Sequence, residues 1–189
     1  MIVDKDFLNK YLSDFSELMR PDDFILDQLV EIKQALIDAN AKGNKGLIFG
    51  NGGSAAIASH FSVDLTKNAS IRCLNFNESD LITCFANDYG FENWVAKAIE
   101  FYGDQGDVLL VISSSGKSKN MINATASARA KKFSKIVTLS GFEEDNLLRK
   151  SGDINLWVNS KAYNYVENLH QIWLLALVDL VIGNKEYSA

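Results

Sequence analysis

The sequence predicts an α/β protein with a doubly wound, five-stranded parallel sheet flanked by helices and preceded by an N-terminal helical pair. Three observations carry this. Five short apolar runs, at 46–49, 71–74, 108–112, 136–139 and 154–158, recur along the chain. Stretches of helical periodicity separate them, and such alternation gives parallel strands buried on both faces. A glycine-rich turn follows the first run and a serine-rich turn the third, at the carboxyl ends of strands where such sheets bind ligands.

Residues 5–19 form a predicted amphipathic helix with Phe7, Leu8, Tyr11 and Phe15 at helical spacing. A second helix opens at Pro21-Asp22-Asp23, a proline and two acids suited to a first turn. It carries Ile25, Leu29, Ile32 and Leu36 on one face and stops near Lys42-Gly43-Asn44. Strands and helices then alternate as far as 163–183, YNYVENLHQIWLLALVDLVIG, which is apolar all round once past His170. A helix of that kind must be buried, and an interface between subunits is a natural place, so a homo-oligomer is expected. The 189 residues, without an internal repeat or low-complexity linker, predict one domain over 1–189. Within it, 1–44 supply helices for oligomer packing and 45–189 the α/β core and last helix.

A composition of 47% hydrophobic and 23% charged residues belongs to a folded chain. The net charge of −5 argues against a protein that grips a nucleic-acid backbone. The opening MIVDKDFLNKYLSDF lacks the basic and apolar regions of a signal peptide, and no apolar run is read as approaching the ~20 residues of a membrane span. A cytoplasmic location, with no nucleic-acid or membrane partner, is expected. Cys73 and Cys84 have no CxxC spacing and are read as reduced, partly buried core residues.

The two turns read Gly50-Asn51-Gly52-Gly53-Ser54 and Ser113-Ser114-Ser115-Gly116-Lys117-Ser118. Glycines let backbone approach an anion, helix N-terminal amides point at it, and hydroxyls add donors without fixed charge. Gly50, Gly52 and Ala55 satisfy the dinucleotide pattern G-x-G-x-x-G/A, yet the ribose-binding acid expected about twenty residues on is missing where the second strand ends Leu74-Asn75-Phe76-Asn77. A Walker A loop is absent as well. The pair of loops therefore predicts a small phosphorylated, hydroxylated ligand and no nucleotide cofactor.

The segments GNGGSA at 50–55, HFSVDLT at 60–66, FANDYGFE at 85–92, GDVLLVISSSGKS at 106–118 and VTLSG at 137–141 resemble the sugar isomerase (SIS) domain family, and within it the phosphoheptose isomerases. The resemblance covers nearly the whole chain. It implies a homotetramer with active sites between subunits that isomerises sedoheptulose 7-phosphate to D-glycero-D-manno-heptose 7-phosphate for surface polysaccharide precursors. It also implies that Ser113, Ser114, Ser115 and Ser118 hold the phosphate. Asn51, Gly52, Gly53 and Ser54 of the first loop, with Asp88, would then meet the sugar. In that family a glutamate four residues after a histidine and a second histidine on the last helix form the catalytic pair. Many members bind zinc through these three residues and a glutamine at the start of the last helix. The corresponding positions here are His60, Asp64, Glu167 and Leu175, so three of the four residue types differ.

An aldose–ketose isomerase moves a proton between adjacent carbons through an enediol and needs a base over the carbon. Asp64 is the expected base, although its carboxylate sits one C–C bond, ~1.5 Å, nearer the backbone than a glutamate's. His60 and His170 are the expected partners in proton transfer, while Leu175 can neither donate a proton nor bind a metal. His60-x-x-x-Asp64 and Glu167-x-x-His170 each set a carboxylate and an imidazole one turn apart on a helix. Together these four predict a divalent-metal site, Zn²⁺ being the first choice, with Glu167 also placed to touch substrate. Lys161 and Tyr163 would approach a phosphorylated ligand from a neighbouring subunit. The alternatives are a non-catalytic adaptor resembling the replication initiator-associating proteins, or a sugar-phosphate sensor. The carboxylates at 64 and 167 favour the enzyme.

Overall fold

The computed structural model describes residues 2–186. Residue 1 and residues 187–189, which the 1–189 domain reading includes, lie outside the described residues. Helices α1 (Ile2–Leu18) and α2 (Asp23–Ala41) come first. The side chain of Asp22 accepts from the Ile25 amide at 2.9 Å, so the acids of the Pro-Asp-Asp turn do cap α2. The alternating portion follows as β1 (Gly46–Phe49), α3 (Gly53–Lys67), β2 (Cys73–Leu74), α4 (Ser79–Tyr89), α5 (Trp94–Tyr102), β3 (Val108–Ser113), α6 (Lys119–Ala130), β4 (Lys135–Ser140), α7 (Leu147–Ser151), β5 (Ile154–Trp157) and α8 (Tyr163–Ile182). The five strands are parallel in the order β2-β1-β3-β4-β5.

Alternation along β3 feeds two apolar layers. Val108, Leu110 and Ile112 join Ile32 and Leu36 of α2, Phe61 and Leu65 of α3, and Leu174 and Leu177 of α8. Leu109 and Val111 join Trp94 and Ile99 of α5 and Met121 and Ala128 of α6 on the other face. The helices that leave β1 and β3, α3 and α6, therefore lie on opposite faces of the sheet. Adjacent strands whose helices part in this way open a crevice at their carboxyl ends. That crevice positions the site.

Several expectations are corrected. The second strand is only Cys73–Leu74, and Thr66 of α3 satisfies both Cys73 backbone groups through its hydroxyl. Cys84 is exposed on α4 rather than partly buried, while Cys73 is buried and both are free thiols. The 20-residue α8 does reach the length and hydropathy of a membrane span. Val166, Leu169, Leu174 and Leu177 of that helix are buried in the α2–α3 layer, and Glu167 and Asp179 interrupt it, as suits a core helix. Its other side leaves Ile172 and Leu180 exposed in the single chain, as are Phe7 and Leu12 of α1 and Phe24 and Val30 of α2.

The opposite end of the sheet is fixed by one buried acid. Asp107 is fully buried where β3 begins, accepting from the backbone amides of Lys45 at 3.0 Å and Asp104 at 2.9 Å and from Asn44 Nδ2 at 3.3 Å. Its ion pair with Lys45 Nζ is 2.8 Å long. Burial opposes the Lys45 charge, but hydrogen bonds to Asp104 and Asp107 hold its pKa above the ordinary lysine value. Asp107→Ala would leave the ammonium and two amides short of an acceptor. It should cost about 3 kcal/mol, read as a lower urea midpoint at unchanged slope.

Candidate functional site

The loops after β1 and β3 meet at the crevice and border an open cavity of about 130 Å³. Its walls are Asn51, Ser54, Ile112, Ser113, Ser114, Ser115, Ser118, Tyr163 and Glu167. This is well below the ~300–1,000 Å³ of sites that enclose drug-sized ligands, and suits one end of a small molecule. A cavity of about 360 Å³ between the α1–α2 turn and β5 is roomier, but it lies away from both loops.

The serine loop is held from behind. Gly116 adopts φ +66°, and a Cβ there would collide with the Asn146 amide packed against it. Asn146 is buried, donates to Glu143 O at 2.8 Å and Ser140 Oγ at 3.0 Å, and accepts from the Arg149 amide at 2.9 Å. Inside the loop Ser113 Oγ donates to Ser118 Oγ at 2.9 Å, and the Lys117 amide donates to Ser115 Oγ at 3.3 Å. Ser114 Oγ is buried without a hydrogen-bond partner, and an unpaired buried hydroxyl costs free energy. The two loops are strapped by reciprocal amide bonds, Asn51 Nδ2 to Asn120 Oδ1 at 3.0 Å and Asn120 Nδ2 to Asn51 Oδ1 at 2.8 Å. Asn51 thus lines the cavity while its amide is spent on the strap.

Glu167, on the second turn of α8, is the one carboxylate in the walls. It lies against Gly53 at the start of α3, so closely that a Cβ on residue 53 would overlap its carboxylate. Among the described residues no hydrogen bond or ion pair engages it. One turn further, Gln171 Nε2 is 2.7 Å from His60 Nδ1, and His60 Nε2 is 3.2 Å from Asp64 Oδ2. The amide nitrogen can only donate, so Nδ1 accepts and the ring proton sits on Nε2, facing Asp64. Both ring nitrogens of His60 are engaged, and neither His60 nor Asp64 lines the cavity of this chain.

His170 is not with them. It is fully buried, with Nε2 donating to Ser140 O at 3.2 Å and Nδ1 unpaired. Burial pushes its pKa down to about 4, against the opposing effect of the Ser140 bond. Among the described residues no group of three or more His, Cys, Asp or Glu side chains is arranged to hold a metal, so His60, Asp64, Glu167 and His170 do not assemble as a metal set in this chain. Asp88 ends α4 in solvent, accepting from Cys84 Sγ and Asn87 Nδ2, and is not in the walls. Gly52 and Gly53 shape the first loop without lining the cavity. Lys161 pairs with Glu143 at 2.7 Å, whereas Tyr163 does line the cavity, its ring packed edge-on against Phe142. Sequence reasoning missed Asn120, Asn146 and Gln171; for Gln171 a signal existed, its place one turn beyond Glu167.

Comparison with known proteins agrees with this architecture. The SIS domain family model matches residues 10–141. A phosphoheptose isomerase of Hamiltonella defensa is 31% identical over 184 residues, covering 94% of this chain and 84% of that protein. One from Colwellia psychrerythraea is 36% identical over 148 residues, 74% of each. The structure of a phosphoheptose isomerase from Francisella tularensis superposes with a TM-score of 0.84 at 26% identity, covering 95% of this chain and 98% of that one.

The buried His170 makes a pH prediction. Its folded pKa of about 4 lies below the ~6.5 of an exposed histidine, so the unfolded chain binds the extra proton. The contribution is intact above pH ~6.5 and is lost as pH falls from there to about 4, on the order of 3 kcal/mol in all. Urea unfolding at pH 7 and 4.5 should show that loss, and the gap should narrow in His170→Gln.

Proposed function

We infer that this chain, which belongs to the SIS domain family, is a phosphosugar aldose–ketose isomerase of the phosphoheptose isomerase type. The observation that carries this is the cavity where β1 and β3 part, walled by serines from both loops. Such a surface offers neutral donors to a phosphate, and two helix N-termini, those of α3 and α6, face the same space. Ser113, Ser114, Ser115 and Ser118 hold the phosphate of sedoheptulose 7-phosphate or a related sugar phosphate. The sugar chain runs from there along the seam between α3 and α8, past Glu167 toward the His60–Asp64 pair, which serves proton transfer on the sugar oxygens. The product feeds surface polysaccharide synthesis in the cytoplasm.

The exposed apolar faces of α1, α2 and α8 support a homotetramer, in which residues 1–44 pack between copies and the seam is closed by a neighbour. The chemistry is assigned to this chain's own side chains, since the expected zinc ligands do not converge.

Two outcomes are expected. Proton NMR of sedoheptulose 7-phosphate in D₂O, with and without added Zn²⁺, should show loss of the C1 proton signals and appearance of the aldose; unchanged spectra would return the chain to a binding role. Ser115→Ala should raise KM about tenfold with kcat little changed, the pattern of a lost hydrogen bond to a charged group made equally in ground and transition states.

A further inference from the structure

We propose that Glu167 is the catalytic base of the enediol step. The assignment rests on the isomerase reading above and adds to it the residue that removes the carbon-bound proton. A base must reach the carbon next to the carbonyl, inside the volume the substrate occupies. Among the cavity walls, serines and Asn51 hold no proton acceptor of carboxylate strength, and the titratable groups are Glu167 and Tyr163. Asp64, toward which the sugar chain runs, is held by His60 Nε2 at 3.2 Å and is left to the sugar oxygens. His170 turns its protonated nitrogen to Ser140 O in the core.

Three features suit Glu167 to the task. No hydrogen bond or ion pair among the described residues engages its carboxylate, so both oxygens are available to substrate. Its position is set by the first loop, because only the missing Cβ of Gly53 lets the carboxylate lie against that backbone. It stands at the N-terminal end of α3, where the helix amides favour an anion. A fixed carboxylate beside a phosphate would repel it. The arrangement is consistent only if the phosphate occupies the serine loop and Glu167 faces the uncharged end of the sugar.

The step balances without a co-reactant. Glu167 takes the proton from C1 as the C1–H electron pair becomes the C1=C2 bond and the C2 carbonyl oxygen takes a proton from the His60–Asp64 pair. The protonated Glu167 then delivers its proton to C2 while the C1 hydroxyl returns its own to that pair and becomes the aldehyde. One proton has moved from C1 to C2 and one from O1 to O2. The family pattern that the sequence resembles has a glutamine at the corresponding place, and Glu167→Gln keeps shape and hydrogen bonding and removes only the basicity.

The test uses the full chain with sedoheptulose 7-phosphate in D₂O, following C1 proton exchange by NMR, with the ligand-induced rise in melting temperature as the binding readout. The wild type should exchange, and Glu167→Gln should keep its ligand-induced rise while exchange falls about 10³-fold. Glu167→Asp, which withdraws the carboxylate by one carbon, should lose about 10²-fold. Should the glutamine variant fail to bind, the aspartate variant decides, full exchange there overturning the assignment. A loss of less than tenfold in a Glu167→Gln that still binds overturns the assignment while leaving the isomerase reading standing. A wild type that binds without exchanging C1 overturns both.

Discussion

The site depends on one topological constraint, the reversal of strand order between β1 and β3. These strands are hydrogen-bonded neighbours from Gly46 with Val108 to Phe49 with Val111, yet α3 and α6 must cover opposite faces. The two loops therefore cannot close over each other and leave space between them. The Asn51–Asn120 strap keeps that space from widening, and Asn146 behind Gly116 keeps the serine loop from relaxing away from it. At the far end of the same strands, Asp107 ties β3 to the residue before β1. Packing at both ends thus makes the register between β1 and β3, and with it the spacing of the two loops, a rigid quantity.

Much of this was legible in the sequence because the signals were local. Apolar runs flanked by periodic segments located all five strands, and the Pro-Asp-Asp turn located the start of α2. Both ligand loops were named by their own composition. The same reasoning failed where the answer depended on rotation about a helix axis. With ~3.6 residues per turn, a residue three positions on falls ~60° short of its predecessor and one four positions on passes it by ~40°. Glu167 and His170 therefore diverge, the first toward the loop and the second into the core, whereas His60 and Asp64 do meet. Gln171, on the other side of Glu167 from His170, reaches His60. Spacing said that a carboxylate and an imidazole shared a turn; only packing said which way each faced.

The departures from the family pattern can be read together. Leu175 removes a proton-handling side chain from α8, and Asp64 is short and held by His60. At the same time a charge has appeared at 167, inside the cavity. The cavity walls thus combine neutral hydroxyls with a single carboxylate.

The contact between Gly53 and Glu167 also constrains how this sequence can change. A side chain at 53 would displace the Glu167 carboxylate from its present place. The cost of alanine at 53 is therefore one of placement: the fold can take it by swinging the Glu167 side chain aside, and what is lost is the position of the carboxylate. The two positions are epistatic through a single missing carbon. Among descendants of this chain, glycine at 53 should persist for as long as the carboxylate at 167 is needed where it now lies.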